Sequence, residues 1–325
     1  MTQYHILFTS VGRRVELVQE FHRAAKELGL ELIIIGVDYS ETAPALFFCD
    51  KKKIVCGIRN PDYISQLLSV CREERVDYLI PTIDTDLLLL AENKSKFKAV
   101  GTEVLVSSAD KIKLCRDKKS TAAYFNTLGL KSPKPVDAIE KYEAGFPAFI
   151  KPVDGSSSVD AYRVDTLKDL ELYTKKINNY IIQPFISGRE FTIDILCDHT
   201  GKPIYITPRE RLAVRSGEVL KTRICHDDTM IHEMQILIED FKPCGQITVQ
   251  LIRDDVTKDN YYIEINPRFG GGAPLSIKAG ADSAKAILQM MMGKRLSYCG
   301  KAATEGAIYS RFDQSICVSE NKNDN

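Results

Sequence analysis

The sequence predicts a mixed α/β and α+β chain: a parallel sheet over residues 1–110, followed by a two-lobed and largely antiparallel part. Three observations lead there. In the first hundred residues, apolar runs alternate with amphipathic segments, the order expected of parallel strands joined by right-handed helical crossovers. After Lys111 the alternation gives way to short strands separated by turns rich in Gly, Ser and Pro. From Phe191 onward, strands follow one another through short turns, as antiparallel pairs do.

Taken in order, Tyr4 to Thr9 is a strand, and Arg14 to Leu28 is an amphipathic helix ended by Gly29. Its stripe is Val15, Leu17, Val18, Phe21, Ala25 and Leu28. Glu31 to Asp38 is nearly all apolar, which suits a strand covered on both faces. Lys53 to Cys56 reads as the next strand, and Asn60-Pro61 as an N-cap with proline at the first helical position. Asp77 to Pro81 is a fourth strand, Asp84 or Thr85 caps a helix, and Glu103 to Val106 is a fifth strand. A helix over Asp117–Leu128, stopped at Gly129, opens the second part. Strands at Pro147–Lys151, near Tyr162 and at Tyr180–Phe185, with a helix over Thr166–Ile177, make a small α+β unit. Strands Phe191–Cys197 and Pro203–Glu210 flank the hairpin turn Asp198-His199-Thr200-Gly201. A helix over Asp228–Phe241, strands Gln246–Arg253 and Tyr261–Asn266, and a last helix over Ser276–Met292 follow. These breaks divide the chain at 1–110, 111–186 and 187–318, with a polar tail at 319–325 expected to be disordered.

Composition narrows the function. The 44 basic and 44 acidic residues cancel, so no bulk field draws nucleic acid or anionic lipid. Met1 leads directly into a strand rather than into a signal peptide, and no run reaches the roughly 20 apolar residues of a membrane helix. Nine scattered cysteines with no C-x-x-C spacing suit reduced thiols in a cytoplasmic protein. His232-Glu233 starts like H-E-x-x-H, but Ile236 stands where the second histidine belongs, so a zinc site is not expected.

Four segments carry chemistry. On Gln246–Arg253 and Tyr261–Asn266, strand alternation puts Gln250, Glu264 and Asn266 on one side of the sheet. Three oxygen donors there suit a hard cation shared with phosphates, that is Mg2+ or Mn2+, whereas a solvated sheet face would leave the following Arg268-Phe269-Gly270-Gly271-Gly272 unexplained. Lys151 ends a strand and precedes Asp154-Gly155-Ser156-Ser157-Ser158, a donor-rich loop able to close on a polyphosphate, although most strand-end lysines are simply solvated. No Walker P-loop occurs. Gln183-Pro184-Phe185-Ile186, ending an apolar strand, can line a base, with Glu190 available to a ribose diol. Arg209, Arg211 and Arg215 in one short span can neutralise phosphate or carboxylate, or can be salt-bridged in an exposed hairpin.

In this order and spacing the segments resemble the ATP-grasp superfamily. Within it they are similar to the short proteins related to one half of the carbamoyl phosphate synthetase large subunit, and to the ligase that joins two lysine-derived units in pyrrolysine synthesis. The resemblance runs over nearly the whole chain and includes Thr9-Ser10-Val11-Gly12-Arg13-Arg14 at its start. It implies a Rossmann-like pre-ATP-grasp domain at 1–110, a lid at 111–186 and a metal-bearing lobe at 187–318. It also implies ATP contacts from Lys118, Lys151, Ser156, Ser157, Ser158, Gln183, Pro184, Phe185, Ile186 and Glu190. Metal ligation would fall to Gln250, Glu264 and Asn266, and stabilisation of the transferring phosphoryl group to Arg215 and Arg268. Pro184 and Gln250 depart from the family's more usual acidic residues. The activity implied is ADP-forming ligation of a small carboxylate, such as an amino acid, to an amine; a homo-oligomer is compatible with it. A nucleotide-binding module without catalysis and a dinucleotide-dependent oxidoreductase are the alternatives, the second weakened because Ser10-Val11-Gly12-Arg13-Arg14 lacks G-x-G-x-x-G.

Overall fold

The computed structural model describes residues 3–153 and 160–318. Its first unit follows the predicted alternation: β1 (Gln3–Thr9), α1 (Val15–Leu28), β2 (Glu31–Asp38), β3 (Lys51–Ile54), α2 (Tyr63–Glu74), β4 (Tyr78–Pro81), α3 (Leu87–Glu92), α4 (Lys94–Ala99) and β5 (Glu103–Val104). The strands form a parallel sheet ordered β3-β2-β1-β4-β5, so the strand order reverses between β1 and β4. Crevices at such reversals, beyond the carboxyl ends of the strands, are where open α/β sheets bind ligands. The buried faces of α1 and β1, including Phe8 and Phe21 with rings 5.1 Å apart, form one core with residues of the carboxyl-terminal lobe such as Phe269 and Ile287.

Two local expectations fail here. The helix after Asn60-Pro61 starts only at Tyr63, because the Asn60 side chain accepts from the Asp62 N–H in a tight turn instead of capping. Neither Asp84 nor Thr85 caps α3. Asp86 precedes it, and its carboxylate instead accepts from Thr9 Oγ1 at 2.8 Å, Tyr63 OH at 3.2 Å and Ser10 Oγ at 3.3 Å. Burial raises the Asp86 pKa to about 6 against the pull of those donors, which clamp β1 to the β4–α3 turn.

Next come α5 (Ala109–Arg116) and α6 (Lys118–Thr127), the latter capped by the Asp117 carboxylate on the Ser120 N–H. Phe125 of α6 and Leu130 pack into the core of the large lobe, with the Phe125 and Tyr262 rings 5.2 Å apart. The small lobe is a three-stranded sheet, β7-β6-β8, made of β6 (Ala148–Pro152), β7 (Tyr162–Val164) and β8 (Tyr180–Pro184), with α7 (Leu167–Thr174) over one face.

The large lobe holds β9 (Gly188–Cys197), β10 (Pro203–Arg215), β11 (Glu218–Ile224), α8 (Asp228–Phe241), β12 (Gly245–Asp254), β13 (Asn260–Asn266), α9 (Ala273–Lys278), α10 (Ser283–Met291) and β14 (Ile308–Ser310). Its antiparallel sheet is ordered β13-β12-β9-β10-β11-β14. Three features differ from the sequence reading. β10 runs to Arg215 and turns into β11 through Ser216-Gly217, both at positive φ. The predicted helix over Ser276–Met292 is two helices, broken at Gly280 (φ 118°), where an added Cβ would lie 2.4 Å from the Ala302 carbonyl. β14, unforeseen, extends the sheet edge and brings Arg311 beside β11. No described helix is long and apolar enough to cross a membrane.

Candidate active site

The site forms on the sheet face opposite α8. Gln250 on β12 stands directly across from Glu264 on β13, and Thr248 across from Asn266, with a bulge after Gln250. The predicted convergence of Gln250, Glu264 and Asn266 therefore holds, and all three are half-buried. Asn266 Nδ2 donates to Glu264 Oε1 at 2.9 Å, and Arg268 Nη2 donates to Asn266 Oδ1 at 3.2 Å and Asp84 Oδ2 at 2.6 Å. Arg268 thus bridges Asn266 to Asp84 of the amino-terminal domain, and its buried Nε has no partner among the described residues. No group of three His, Cys, Asp or Glu able to hold a metal occurs among the described residues. One carboxylate with two amide oxygens, in a half-buried cleft beside cationic side chains, fits a hard divalent cation that takes its remaining ligands from phosphate and water. Such a cation would reorient the Asn266 amide, which now turns its nitrogen to Glu264.

The small lobe supplies the cations. Phe149, Lys151 and Gln183 lie on the β6–β8 face opposite the Ile150 and Ile182 core. Lys151 is only 8% exposed, so it is not a solvated strand-end residue. Its ammonium has no ion pair within 4 Å among the described residues and lies 5.9 Å from the Phe149 ring centroid. Burial lowers its pKa to about 8; Glu264 pulls the value up and Lys118 pushes it further down. Lys118, at the start of α6, reaches the Val153 carbonyl at 3.4 Å, just ahead of residues 154–159. Lys118 and Glu264 are thus the charges that act on the buried Lys151 ammonium. Ser156, Ser157 and Ser158 lie outside the described residues.

At the hinge, Pro184 has no N–H and the Phe185 N–H goes to the Pro147 carbonyl at 3.1 Å, leaving Ile186 as the next donor for a base edge. Glu190 is half-exposed, with Arg211 Nε 3.2 Å from its carboxylate. Arg215 stands at the hairpin tip, its side chain 61% exposed and paired with Asp313 at 3.0 Å.

Sequence reasoning named Arg209 as a ligand for phosphate or carboxylate but passed over Asp194, its buried partner on this face. Arg209 Nε donates to Asp194 Oδ2 at 2.8 Å, with side chains 2% and 3% exposed, and Thr248 and Ser276 also donate to Asp194. Arg209 Nη1 and Thr192 Oγ1 are buried without a hydrogen-bond partner among the described residues. The signal was present: Glu190, Thr192 and Asp194 alternate with Phe191, Ile193 and Ile195 along β9. Gly270, Gly271 and Gly272 lie flat on this pair and its surroundings. Added Cβ atoms would come within 2.9 Å of Thr248 Oγ1, 2.1 Å of Glu218 Oε2 and 2.7 Å of Arg209 Nη2. Asp194→Ala leaves the Arg209 charge buried and uncompensated, so it should cost about 3–5 kcal/mol of stability in urea unfolding, and Asp194→Leu with Arg209→Leu much less.

Residues 6–105 match the PylC-like N-terminal domain and residues 115–272 the ATP-grasp domain. The chain is 24% identical over 314 residues to the carbamoyl phosphate synthase large chain, N-terminal section, of Aquifex aeolicus, covering 84% of this chain and 54% of that one. It is 24% identical over 309 residues to a carbamoyl-phosphate synthase of Methanobrevibacter smithii, covering 89% and 81%. It spans 31% of the length of the arginine-specific large chain of Bacillus subtilis and 30% of that of Rubrobacter xylanophilus. Among solved structures, N5-carboxyaminoimidazole synthetase from Staphylococcus aureus complexed with ADP superposes with a TM-score of 0.72 at 16% identity, covering 91% and 80%. An L-amino acid ligase from Bacillus licheniformis superposes at 0.70 with 18% identity, covering 90% and 75%. The expected fold, a parallel amino-terminal sheet followed by a two-lobed ATP-grasp unit, is the fold of these neighbours.

Proposed function

From a chain that joins a PylC-like N-terminal domain to an ATP-grasp domain, we propose an ADP-forming carboxylate–amine ligase. The observation that carries the reading is the convergence of Glu264, Asn266 and Arg268, with Glu264 and Lys118 as the charges that act on the buried Lys151. ATP lies in this cleft with its base against Phe185 and Ile186 and its ribose at Glu190. Its phosphates lie against Lys118, Lys151 and Ser156–Ser158. Glu264, Asn266 and Gln250 would hold Mg2+ or Mn2+, which would neutralise charge at the phosphates.

A substrate carboxylate oxygen attacks the γ-phosphorus, the bond to the bridging oxygen of ADP breaks, and Arg268 with Arg215 stabilises the charge on the phosphoryl oxygens. The amine then attacks the acyl carbon of the acyl phosphate. A C–N bond forms, phosphate leaves with the carboxylate's oxygen, and the amine loses a proton. The small lobe closes over the cleft and keeps water from the acyl phosphate. The substrates are small carboxylates and amines, and the reading places the protein in the cytoplasm, where it works as a monomer or a homo-oligomer. Incubation with Mg-ATP and paired amino acids should give ADP and phosphate in equal amounts. Formation of AMP and pyrophosphate would contradict the scheme.

A further inference from the structure

A second set of guanidiniums, outside the phosphate end, gathers where the amino-terminal domain meets the β10–β11 hairpin and β14. Arg13 and Arg14 follow β1, and Arg311 follows β14. Together they line a cleft floored by Gly270 and Gly271. It measures about 240 Å³ to its open mouth, with water-sized room of about 20 Å³ inside, enough for the end of a molecule such as a carboxylate rather than for all of it. Arg268, which donates to both Asp84 and Asn266, acts electrostatically on Arg14 and so joins this set to Glu264 and Asn266.

Among the described residues, Arg13, Arg14, Arg268 and Arg311 face the carboxylates of Glu16, Asp84, Glu218 and Asp313. Arg14 is the least well served: its side chain is 21% exposed, Nη2 donates to the Thr82 carbonyl at a long 3.4 Å, and Glu218 stands 4.0 Å from Nη1. A contact of 4.0 Å is too long for a hydrogen bond. Burial, and next the Arg268 charge, hold the Arg14 pKa below the ordinary arginine value. Glu218, half-exposed at the hairpin tip, bonds Arg311 Nη1 at 3.1 Å and marks a seat between the two guanidiniums that accepts a carboxylate. A buried guanidinium without a full partner is costly, and a bidentate carboxylate is the ligand that best relieves it.

We infer that Arg13, Arg14 and Arg311 anchor the carboxylate of an amino-acid substrate that attacks through its amine, setting that amine toward Arg268. The inference rests on the ligase reading and adds to it the class of the nucleophile: an amino acid whose own carboxylate is spared.

The test uses the full chain with Mg-ATP and pairs of proteinogenic amino acids, reading phosphate release. Each active pair is run again with its nucleophile replaced by the matching decarboxylated amine. Loss of the carboxylate should lower kcat/KM about ten- to a hundredfold, the worth of a charge-assisted contact. Arg14→Gln should raise KM for the nucleophile by a similar factor, more than it lowers kcat, with Mg-ATP affinity by calorimetry within about twofold of wild type. Arg311→Gln, at a more exposed position, should do the same and serves if the Arg14 variant does not fold. Equal use of amine and amino acid overturns the inference, as do unchanged KM values in folded variants. So does silence of every amino-acid pair while Mg-ATP still binds. Release of AMP, or absence of Mg-ATP binding, defeats the ligase reading itself.

Discussion

Replacing Glu264 with alanine should lower turnover by at least about a hundredfold while the protein still folds, since a lost direct ligand exceeds the effect usual for an outer-shell one. Glu264 is half-buried and faces the cleft, so its removal opens no core cavity. It also leaves Asn266 and Gln250 as amides with no carboxylate beside them, a weak set for a divalent cation. Circular dichroism and thermal unfolding should show the fold intact, and an ADP-release assay should show the loss. Gln250→Glu should act the other way on the metal, lowering the Mg2+ concentration for half-maximal activity by adding charge to the set. A Glu264→Ala protein with near-normal turnover would remove the metal assignment.

The second large effect is expected at Lys151. Lys151→Met should weaken Mg-ATP binding about ten- to a hundredfold in calorimetric titration. The apo protein should be as stable as wild type or more so, because methionine fills the space without an unpaired buried charge. The proton balance sharpens the test. The Lys151 pKa lies at about 8 in the folded protein against an ordinary 10.5, so the unfolded chain holds a proton that the native state gives up. This group therefore makes stability rise with pH between about 8 and 10.5. ATP phosphates beside the ammonium favour its charged form. Mg-ATP binding near the folded pKa should thus take up a proton, seen as a difference in binding heat between buffers of unlike ionisation enthalpy. Equal affinity in wild type and variant, with no linked proton, would place the phosphates elsewhere.

Much of this architecture was legible because period and punctuation agreed. The helix Asp228–Phe241 has the predicted bounds, and β2 is covered on both faces as its composition implied, with Leu32 and Ile34 in one core and Ile35 and Val37 in another. Strand alternation alone put Gln250, Glu264 and Asn266 on one face, and the register across β12 and β13 matches it. What escaped depends on partners distant in the chain. The sequence suggests Asp84 or Thr85 as a helix cap, but Asp86 takes the position before α3, and Thr9, Ser10 and Tyr63 hold its carboxylate. The break at Gly280 answers to the Ala302 carbonyl, and β14 is a strand only because β11 offers it an edge. Asp194 and Arg209, 15 residues apart on neighbouring strands, look like surface charges until the pairing of β9 with β10 buries them together. The burial of Lys151 was illegible for the same reason, although its place before a donor-rich loop marked it as a phosphate ligand.

The central claim is that a substrate carboxylate is phosphorylated by ATP before the amine attacks. It is tested most directly by following oxygen. Amino acids labelled with oxygen-18 in the carboxylate, incubated with the enzyme and Mg-ATP in unlabelled water, should release ADP and inorganic phosphate. Each phosphate should carry one labelled oxygen, resolved by its isotope shift in phosphorus-31 NMR, because the C–O bond to the acyl phosphate breaks when the amine attacks. Unlabelled phosphate accompanying a ligated product, or label appearing in AMP beside pyrophosphate, would contradict the account.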